Sequence, residues 1–262
     1  MTILRSALFN LLFFGWTTLC CFALLPALFL PHRVTMAWIF VWLRGVHWVE
    51  KTILGIDYRV VGRENLPDGA CIVAAKHQSA WETLKLHLLL PDPAIVLKSE
   101  LLKVPVWGKY LLKTGMIPVD RGAGSRAVRA MIEHAKVRVA EGRPIAIFPQ
   151  GTRTAPGTWR PYRIGVGALY EGLGVPVVPM ALNSGVFWGR RAFRKRPGTI
   201  HILVRPPLPV GLPRAVLIAR LAAAIEPEPL QPAGAGPRLD TGAAGEQAVD
   251  KPVESPPATL RR

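Results

Sequence analysis

The sequence predicts an α/β fold in which helices flank a mostly parallel central sheet, preceded by an N-terminal membrane-associated two-helix segment. Two observations support this prediction. From Ile56 onward, short β-branched apolar runs alternate with stretches whose apolar residues recur at helical spacing, as is typical of helices packed on a parallel sheet. Ahead of them, the stretch from Ser6 to Pro31 contains no charged residue.

Residues 1–52 are predicted to associate with a membrane. Ala7–Leu25 supplies 19 residues that are nearly all apolar, close to the ~20 that a helix needs to cross a bilayer core. Val34–Glu50 is interrupted by Arg44 and carries three tryptophans, a composition that suits the lipid–water interface. These are Trp38, Trp42 and Trp48. Either the first helix spans the bilayer and the second lies flat, or the pair dips into one leaflet.

Residues 53–226 are predicted to form the α/β domain. The expected strands are Ile56–Val61, Ala70–Ala75, Ala94–Leu97, Met116–Val119, Pro144–Phe148, Val175–Leu182 and Thr199–Val204. The expected helices are Trp81–Leu90, Val104–Lys113, Ser125–Glu141, Val166–Gly172 and Arg214–Glu226. Ser125 is the expected N-cap of its helix and Gly142 the glycine that ends it. Residues 227–262 are rich in proline and glycine and lack aromatic residues, so we expect a disordered tail.

The net charge and the pattern of cysteines and histidines indicate which classes of partner and ligand the chain can bind. The net charge is +16, which favours phosphates, anionic lipid or an acidic carrier protein. The basic stretch Arg190–Arg196 is a candidate for contact with anionic headgroups or an acidic acyl carrier protein, and a solvated loop without a specific partner is the alternative. The three cysteines and six histidines show neither a disulfide framework nor a metal-ligand spacing, so no metal site is expected.

One short motif predicts an active site. His77 and Glu82 stand five positions apart and follow the buried-strand pattern Cys71–Ala75. On a straight helix this spacing would turn the two side chains roughly 140° apart, but a turn that enters a helix allows them to meet. The ends of parallel strands are where open α/β sheets place their chemistry. An imidazole held by a carboxylate is a general base suited to taking a proton from a hydroxyl.

Three further motifs follow in the sequence. Phe148–Arg153 combines Gly151, which permits close backbone approach, with the hydroxyl of Thr152 and the forked donors of Arg153, which suit a phosphate. Gly115–Arg121 reads as a strand that ends in arginine. Val175–Met180 contains two prolines in a β-branched run and is interpreted as a wall of the site.

The four motifs, in this order behind apolar helices, resemble those of the 1-acylglycerol-3-phosphate acyltransferase family. His77 to Glu82 is similar to its His-x4-Asp block, and Gly115–Arg121 to its block ending in arginine. Phe148–Arg153 is similar to Phe-Pro-Glu-Gly-Thr-Arg, and Val175–Pro179 to its proline-containing strand. The resemblance covers about residues 1–210. It implies transfer of an acyl chain from a thioester to the sn-2 hydroxyl of lysophosphatidic acid, which gives phosphatidic acid in phospholipid biosynthesis.

The resemblance and the residue chemistry together assign roles. The catalytic pair is His77 and Glu82, and Ser79 is not expected to be a nucleophile. The candidates for binding the substrate phosphate are Arg121, Arg153 and Lys98, supported by Gly151, Thr152 and Gln150. No cofactor is expected, because acyl-CoA or acyl carrier protein serves as co-substrate.

Two positions depart from the family pattern. Glu82 stands where aspartate is usual and lengthens the side chain by one methylene. Gln150 stands where glutamate is usual, which removes a negative charge beside Arg153 and is expected to leave the site more positive.

Two alternative functions stay open on the sequence alone. The acceptor could be another lyso-lipid, such as lyso-ornithine lipid, which lacks the phosphate. A chain this basic could also be a non-enzymatic, membrane-tethered binding module for nucleic acid, although no nucleic-acid motif is present, so we expect no such partner. The expected location is a bacterial inner membrane with the active site at the cytoplasmic face. Oligomeric state and acyl-chain preference are not predicted.

Overall fold

The computed structural model describes residues 2–226, and the predicted tail, residues 227–262, lies outside the described residues. The strands are β1 (Ile56–Val61), β2 (Ile72–Ala75), β3 (Ala94–Lys98), β4 (Ile117–Val119), β5 (Ile145–Ile147), β6 (Val177–Leu182) and β7 (Gly198–Val204). The α-helices are α1 (Thr2–Ala23), α2 (His32–Val49), α3 (Trp81–Leu89), α4 (Trp107–Lys113), α5 (Gly124–Ala140), α6 (Ile164–Leu173), α7 (Ser184–Phe187) and α8 (Arg214–Ile225).

The seven strands form one sheet in the order β1-β7-β6-β2-β5-β3-β4. All neighbouring strands from β6 to β4 are parallel, whereas β7 runs antiparallel to β6 and parallel to β1. The predicted mostly parallel sheet is therefore confirmed. Because β6, β2, β5, β3 and β4 point the same way, the residues that follow them meet along one edge of the sheet.

The element predictions agree with the structure within a few residues, with two differences. Helix α5 begins at Gly124, not at the expected N-cap Ser125, and Ala123 occupies the capping position without a side-chain hydrogen bond. Gly142 has φ 75°, so the glycine that ends this helix was placed correctly. The short helix α7 was not predicted, because its sequence of four residues is too short to show a helical period.

The sheet separates two apolar layers. Successive residues of β2 point to opposite faces, so Ile72 and Ala74 join one cluster while Val73 and Ala75 join the other. Helices α5, α6 and α8 cover the first face, where Leu169 of α6 is fully buried. Helix α3 covers the second face together with the N-terminal helices.

Helices α1 and α2 pack on each other. The indole of Trp16 donates a 3.0 Å hydrogen bond to the carbonyl of Trp42, across Gly45. A Cβ at Gly45 would lie 2.5 Å from the Trp16 indole nitrogen, so glycine permits this close crossing. Trp42 was expected at the lipid interface but is buried in this contact, whereas Trp38 and Trp48 are exposed.

Helix α1 is long and apolar enough to cross a membrane by length and composition. It nevertheless contacts the α/β domain near both of its ends. Phe9 is fully buried and meets Trp188 edge-on at 5.1 Å between ring centroids. The Tyr110 hydroxyl donates to the carbonyl of Cys21 at 3.2 Å. The outward face of α1 remains apolar and exposed, with Leu4, Leu11, Phe14 and Phe22.

A buried ion pair joins the N-terminal helices to α3. Lys85 Nζ of α3 lies 2.6 Å from Glu50 Oε2, just beyond the end of α2, and the two side chains are 1% and 0% exposed. Burial lowers the pKa of Lys85, and the Glu50 carboxylate opposes that shift. The ammonium also lies 5.5 Å from the ring centroid of Trp81.

Replacing Lys85 by methionine is expected to destabilise the fold, because it leaves the Glu50 carboxylate buried without its ammonium. Breaking a buried pair in this way costs about 3–5 kcal/mol. The measurement is the thermal unfolding midpoint of detergent-solubilised protein. The double variant Glu50→Leu, Lys85→Met should recover much of the loss, and an unchanged midpoint in Lys85→Met would contradict the assignment.

Candidate active site

The residues expected to carry the chemistry lie where parallel strands end. His77 follows β2, and residues 150–153 follow β5, which is the neighbour of β2 in the sheet. Lys98 ends β3, and Arg121 follows β4, the next two strands outward. The topology therefore brings residues that are more than 70 positions apart in sequence to one edge of the sheet.

His77 and Glu82 are in direct contact. His77 Nδ1 lies 2.8 Å from Glu82 Oε1. The spacing of five works because α3 begins only at Trp81, so the chain turns between the two residues and Glu82 reaches back from the first helical turn. The same oxygen accepts the backbone N–H groups of Gln78 and Ser79, each at 2.7 Å.

A buried serine completes the set of donors to Glu82. The Ser184 hydroxyl donates to Glu82 Oε2 at 2.7 Å, and the serine is fully buried. Both carboxylate oxygens are thus engaged, and the Glu82 side chain is 2% exposed. Sequence reasoning did not identify Ser184. The available signal was its position just after β6, whose end faces the same edge as β2.

The imidazole of His77 is held but accessible. Its ring stacks on Phe148 with centroids 3.9 Å apart and planes 17° from parallel. The backbone carbonyl of His77 accepts a hydrogen bond from the backbone N–H of Thr154 at 2.8 Å, which connects the end of β2 to the loop after β5. The side chain is 14% exposed. Nδ1 of the ring is directed to Glu82, and Nε2 lies on the other side of the ring.

The side chain of Ser79 is hydrogen-bonded at the start of α3. It is fully buried, and its hydroxyl accepts the backbone N–H of Trp81 at 3.1 Å. This bond satisfies one of the free donors at the start of α3.

A group of cations lies farther along the edge. Lys98 pairs in register with Val119, two residues before Arg121, so the two cations follow neighbouring strands. Burial lowers the pKa of Arg121, Glu100 opposes this shift, and the nearby charge of Arg163 adds to it. Arg163 was not identified from sequence. Its signal was its position immediately before helix α6.

The loop after β5 forms a tight turn beside His77. Gly151 has φ 66°, a left-handed conformation that glycine adopts without strain, and its N–H donates to the carbonyl of Phe148 at 2.9 Å. The side chain of Arg163 lies within 3.1 Å of the position that a Cβ on Gly151 would occupy. Thr152 and Arg153 follow and are half-buried. Arg190 donates to the carbonyl of Arg153 at 3.3 Å, which places the basic run Arg190–Arg196 next to this loop.

Gln150 occupies a different environment from the one expected. Its side chain is buried, and its amide donates to Glu226 Oε1 at 2.9 Å. The expectation that a neutral residue at position 150 leaves the site more positive is therefore wrong in one respect. The carboxylate of Glu226 brings a negative charge to the same place.

Known proteins that are similar to this chain are acyltransferases. The family model described as Acyltransferase matches residues 57–183. The 1-acyl-sn-glycerol-3-phosphate acyltransferase of Pseudomonas aeruginosa is 35% identical over 78% of this chain and 80% of its own length. The human 1-acyl-sn-glycerol-3-phosphate acyltransferase alpha is 29% identical over 61% of this chain and 57% of its own length.

The fold also matches a solved structure. The crystal structure of the 1-acyl-sn-glycerophosphate (LPA) acyltransferase PlsC from Thermotoga maritima superposes with a TM-score of 0.71. The match covers 86% of this chain and 95% of that chain at 24% identity, which supports the shared fold. The alternative of a non-enzymatic binding module is set aside, since the curated relatives are enzymes. The chain belongs to the 1-acyl-sn-glycerol-3-phosphate acyltransferase family, and it is an acyltransferase.

Proposed function

We propose that the enzyme transfers an acyl chain from acyl-CoA or acyl carrier protein to the sn-2 hydroxyl of lysophosphatidic acid, giving phosphatidic acid. The observation that carries the proposal is the 2.8 Å contact of His77 with the buried Glu82, on a sheet edge that also bears Lys98 and Arg121. The names of the curated relatives support the same reaction.

In the proposed reaction, Glu82 fixes the proton of His77 on Nδ1, so that Nε2 is the basic nitrogen. Nε2 takes the proton of the sn-2 hydroxyl as its oxygen attacks the thioester carbonyl carbon. The tetrahedral intermediate then collapses, the carbon–sulfur bond breaks, and the thiolate leaves with the proton from Nε2. The buried position of Ser79 supports direct transfer without an acyl-serine intermediate. Backbone N–H groups near Gly151 are the proposed donors to the oxyanion.

The acceptor phosphate is proposed to bind the cations along the sheet edge. Arg121, Arg153 and Lys98 are the ligands suggested by sequence, and Arg163 is added because its side chain packs beside Gly151, in the loop that carries Arg153. Arginine forks suit phosphate oxygens. A lyso-lipid without a phosphate would leave these charges unused, so the phosphorylated acceptor is favoured over lyso-ornithine lipid.

An apolar cavity is the proposed seat of an acyl chain. It has a volume of about 150 Å³ and is bounded by α1, α2, α3 and α4, including Leu84, Trp107 and Leu111. His87 also lines it, and burial lowers the pKa of this imidazole to about 4, so the ring is neutral at physiological pH. The cavity wall includes Thr83, which follows Glu82 in the sequence of α3.

The bilayer is the proposed source of the acceptor. Helix α1 exposes Leu4, Leu11 and Phe14 while Phe9, on its other side, is buried against the domain. A helix bound to the domain near both ends and apolar on its outer face suits an arrangement in which the helix pair dips into one leaflet. We propose that this leaflet is the cytoplasmic face of a bacterial inner membrane, where acyl thioesters are available.

His77→Ala is expected to remove nearly all acyl transfer, because a general base is worth ~10²–10⁴ in rate. Glu82→Gln should also lower kcat strongly, since an amide cannot hold the Nδ1 proton with a full charge. The measurement is the rate of phosphatidic acid formation from lysophosphatidic acid and radiolabelled acyl thioester. Both variants should still pellet with vesicles, and full activity in His77→Ala would refute the mechanism.

Arg153→Ala is expected to raise the KM for lysophosphatidic acid more than it lowers kcat, because it removes a phosphate ligand. Arg59→Ala serves as the matched control, since Arg59 lies on β1, the strand at the opposite edge of the sheet from β4. An unchanged KM in Arg153→Ala would remove this arginine from the phosphate site.

Acceptor choice gives an independent test. We expect lysophosphatidic acid to be acylated much faster than monoacylglycerol or lyso-ornithine lipid, because only the first carries a phosphate for the cations. Equal rates for all three acceptors, measured with the same thioester, would contradict the assigned role of the cationic edge.

A further inference from the structure

The hydroxyl of Ser184 binds the oxygen of Glu82 that does not contact His77. Ser184 is the first residue of α7, and its Oγ donates to Glu82 Oε2 at 2.7 Å. The other oxygen, Oε1, lies 2.8 Å from His77 Nδ1 and accepts two backbone N–H groups. Within residues 2–226, which the structure describes, Ser184 is the donor to Oε2. Each oxygen of this buried carboxylate therefore has its own donors.

The bond to Ser184 limits how the carboxylate can turn. The torsion about the last carbon–carbon bond of a glutamate is broad, so the bond itself does not fix the orientation of the two oxygens. The imidazole of His77 and the two backbone N–H groups all meet Oε1. A donor at Oε2 opposes rotation of the carboxylate around those contacts. The direction in which Oε1 faces the imidazole therefore depends on the hydroxyl of Ser184.

The position of this hydroxyl is itself fixed by contacts of α7 with the loop that carries His77. The backbone N–H of Gly185 donates to Gln78 Oε1 at 2.9 Å. A Cβ on Gly185 would lie 2.9 Å from the Cβ of Gln78, so the glycine permits α7 to pack directly on the loop. The N–H of Trp188 donates to the carbonyl of Ser184 at 2.8 Å and closes the helical turn. Ser184 is fully buried.

The length of the Glu82 side chain matches the distance to Ser184. An aspartate at this position would be shorter by one carbon–carbon bond, about 1.5 Å. A 2.7 Å hydrogen bond lengthened by that amount lies outside the ordinary range for a hydroxyl and a carboxylate oxygen. On the same backbone, an aspartate would therefore lose its contact with His77 or its contact with Ser184.

We propose that Ser184 is a positioning residue for acyl transfer, which acts on His77 through Glu82, and that it is matched to a glutamate at position 82. This role rests on the proposed function. The methylene that distinguishes Glu82 from the aspartate of the family pattern lets one carboxylate reach both the imidazole and the hydroxyl. Ser184 orients the base and does not bind the acceptor phosphate.

The kinetic test is a double-mutant cycle in the full-length protein. Ser184→Ala is expected to lower kcat by ~10–100-fold, because small misplacements of catalytic groups have effects of this size. The KM for lysophosphatidic acid should change by less than about twofold, since no phosphate ligand is removed. Glu82→Asp should also lower kcat. Ser184→Ala added to Glu82→Asp should lower kcat by less than about threefold further, because residues that act through one interaction are not additive.

The second readout is the exchange of the His77 Nδ1 proton with water, measured by NMR on protein labelled with ¹⁵N-histidine. Exchange should be about tenfold faster in Ser184→Ala and in Glu82→Asp, and no faster in the double variant, because a carboxylate that can turn holds this proton less well. The experiment needs no substrate. It therefore still tests the role of Ser184 if the wild-type enzyme proves inactive on lysophosphatidic acid, a result that would refute only the proposed function.

Two further variants complete the design. Ser184→Cys keeps the shape of the side chain but replaces the hydroxyl by a weak donor, so kcat and proton exchange should change in the same direction as in Ser184→Ala. It serves as the test if the alanine variant does not fold. The matched control is Thr52→Ala, which removes an exposed hydroxyl that donates to the carbonyl of Trp48 at 2.7 Å. It should leave kcat and proton exchange unchanged.

Wild-type kcat in both Ser184→Ala and Ser184→Cys would overturn the proposal. Fully additive losses in the double variant would overturn the match between the hydroxyl and the glutamate. A lower kcat with wild-type exchange of the Nδ1 proton, or failure of both serine variants to fold, would reduce Ser184 to a structural residue and would also refute the positioning claim.

Discussion

The buried carboxylate of Glu82 is the constraint on which the site depends. It accepts hydrogen bonds from the imidazole of His77, from two backbone N–H groups and from the hydroxyl of Ser184, all at 2.7–2.8 Å. A carboxylate that is 2% exposed is costly unless it is fully hydrogen-bonded, and these donors meet that requirement. They also fix which way the imidazole turns. The stability of the loop and the orientation of the imidazole thus depend on the same few hydrogen bonds.

The topology explains why these donors are available in one place. Glu82 lies in the first turn of α3, the helix that follows β2, and Ser184 follows β6, the parallel neighbour of β2. On the other side of β2, Phe148 follows β5 directly, and its ring stacks on the imidazole of His77. Farther out in the sheet, β3 ends at Lys98, and Arg121 lies two residues beyond the end of β4. From β2 outward, the edge thus carries the His77–Glu82 pair, the loop after β5, and the cations at the ends of β3 and β4.

Much of the fold and part of the candidate site could be predicted from the sequence. The contact of His77 with Glu82 was predictable because a strand ending before an acidic residue in a first helical turn forces a reversal. The parallel sheet was predictable from alternating patterns. Ser184, Arg163 and Glu226 were not, because each acts through tertiary contacts with residues far away in sequence. Gln150 illustrates the limit, since the absence of a charge at this position was visible in the sequence, but its hydrogen bond to the carboxylate of Glu226, 76 positions later, was not.

The tautomer of His77 reports directly whether Glu82 orients the imidazole. In protein labelled with ¹⁵N-histidine, the two ring nitrogens of His77 can be distinguished by NMR above the pH at which the ring is protonated, with His77→Ala providing the assignment. We expect a protonated Nδ1 and an unprotonated Nε2, because the Glu82 carboxylate accepts a hydrogen bond from Nδ1. A ring protonated on Nε2 would contradict it, since that nitrogen could not take a proton from the substrate hydroxyl.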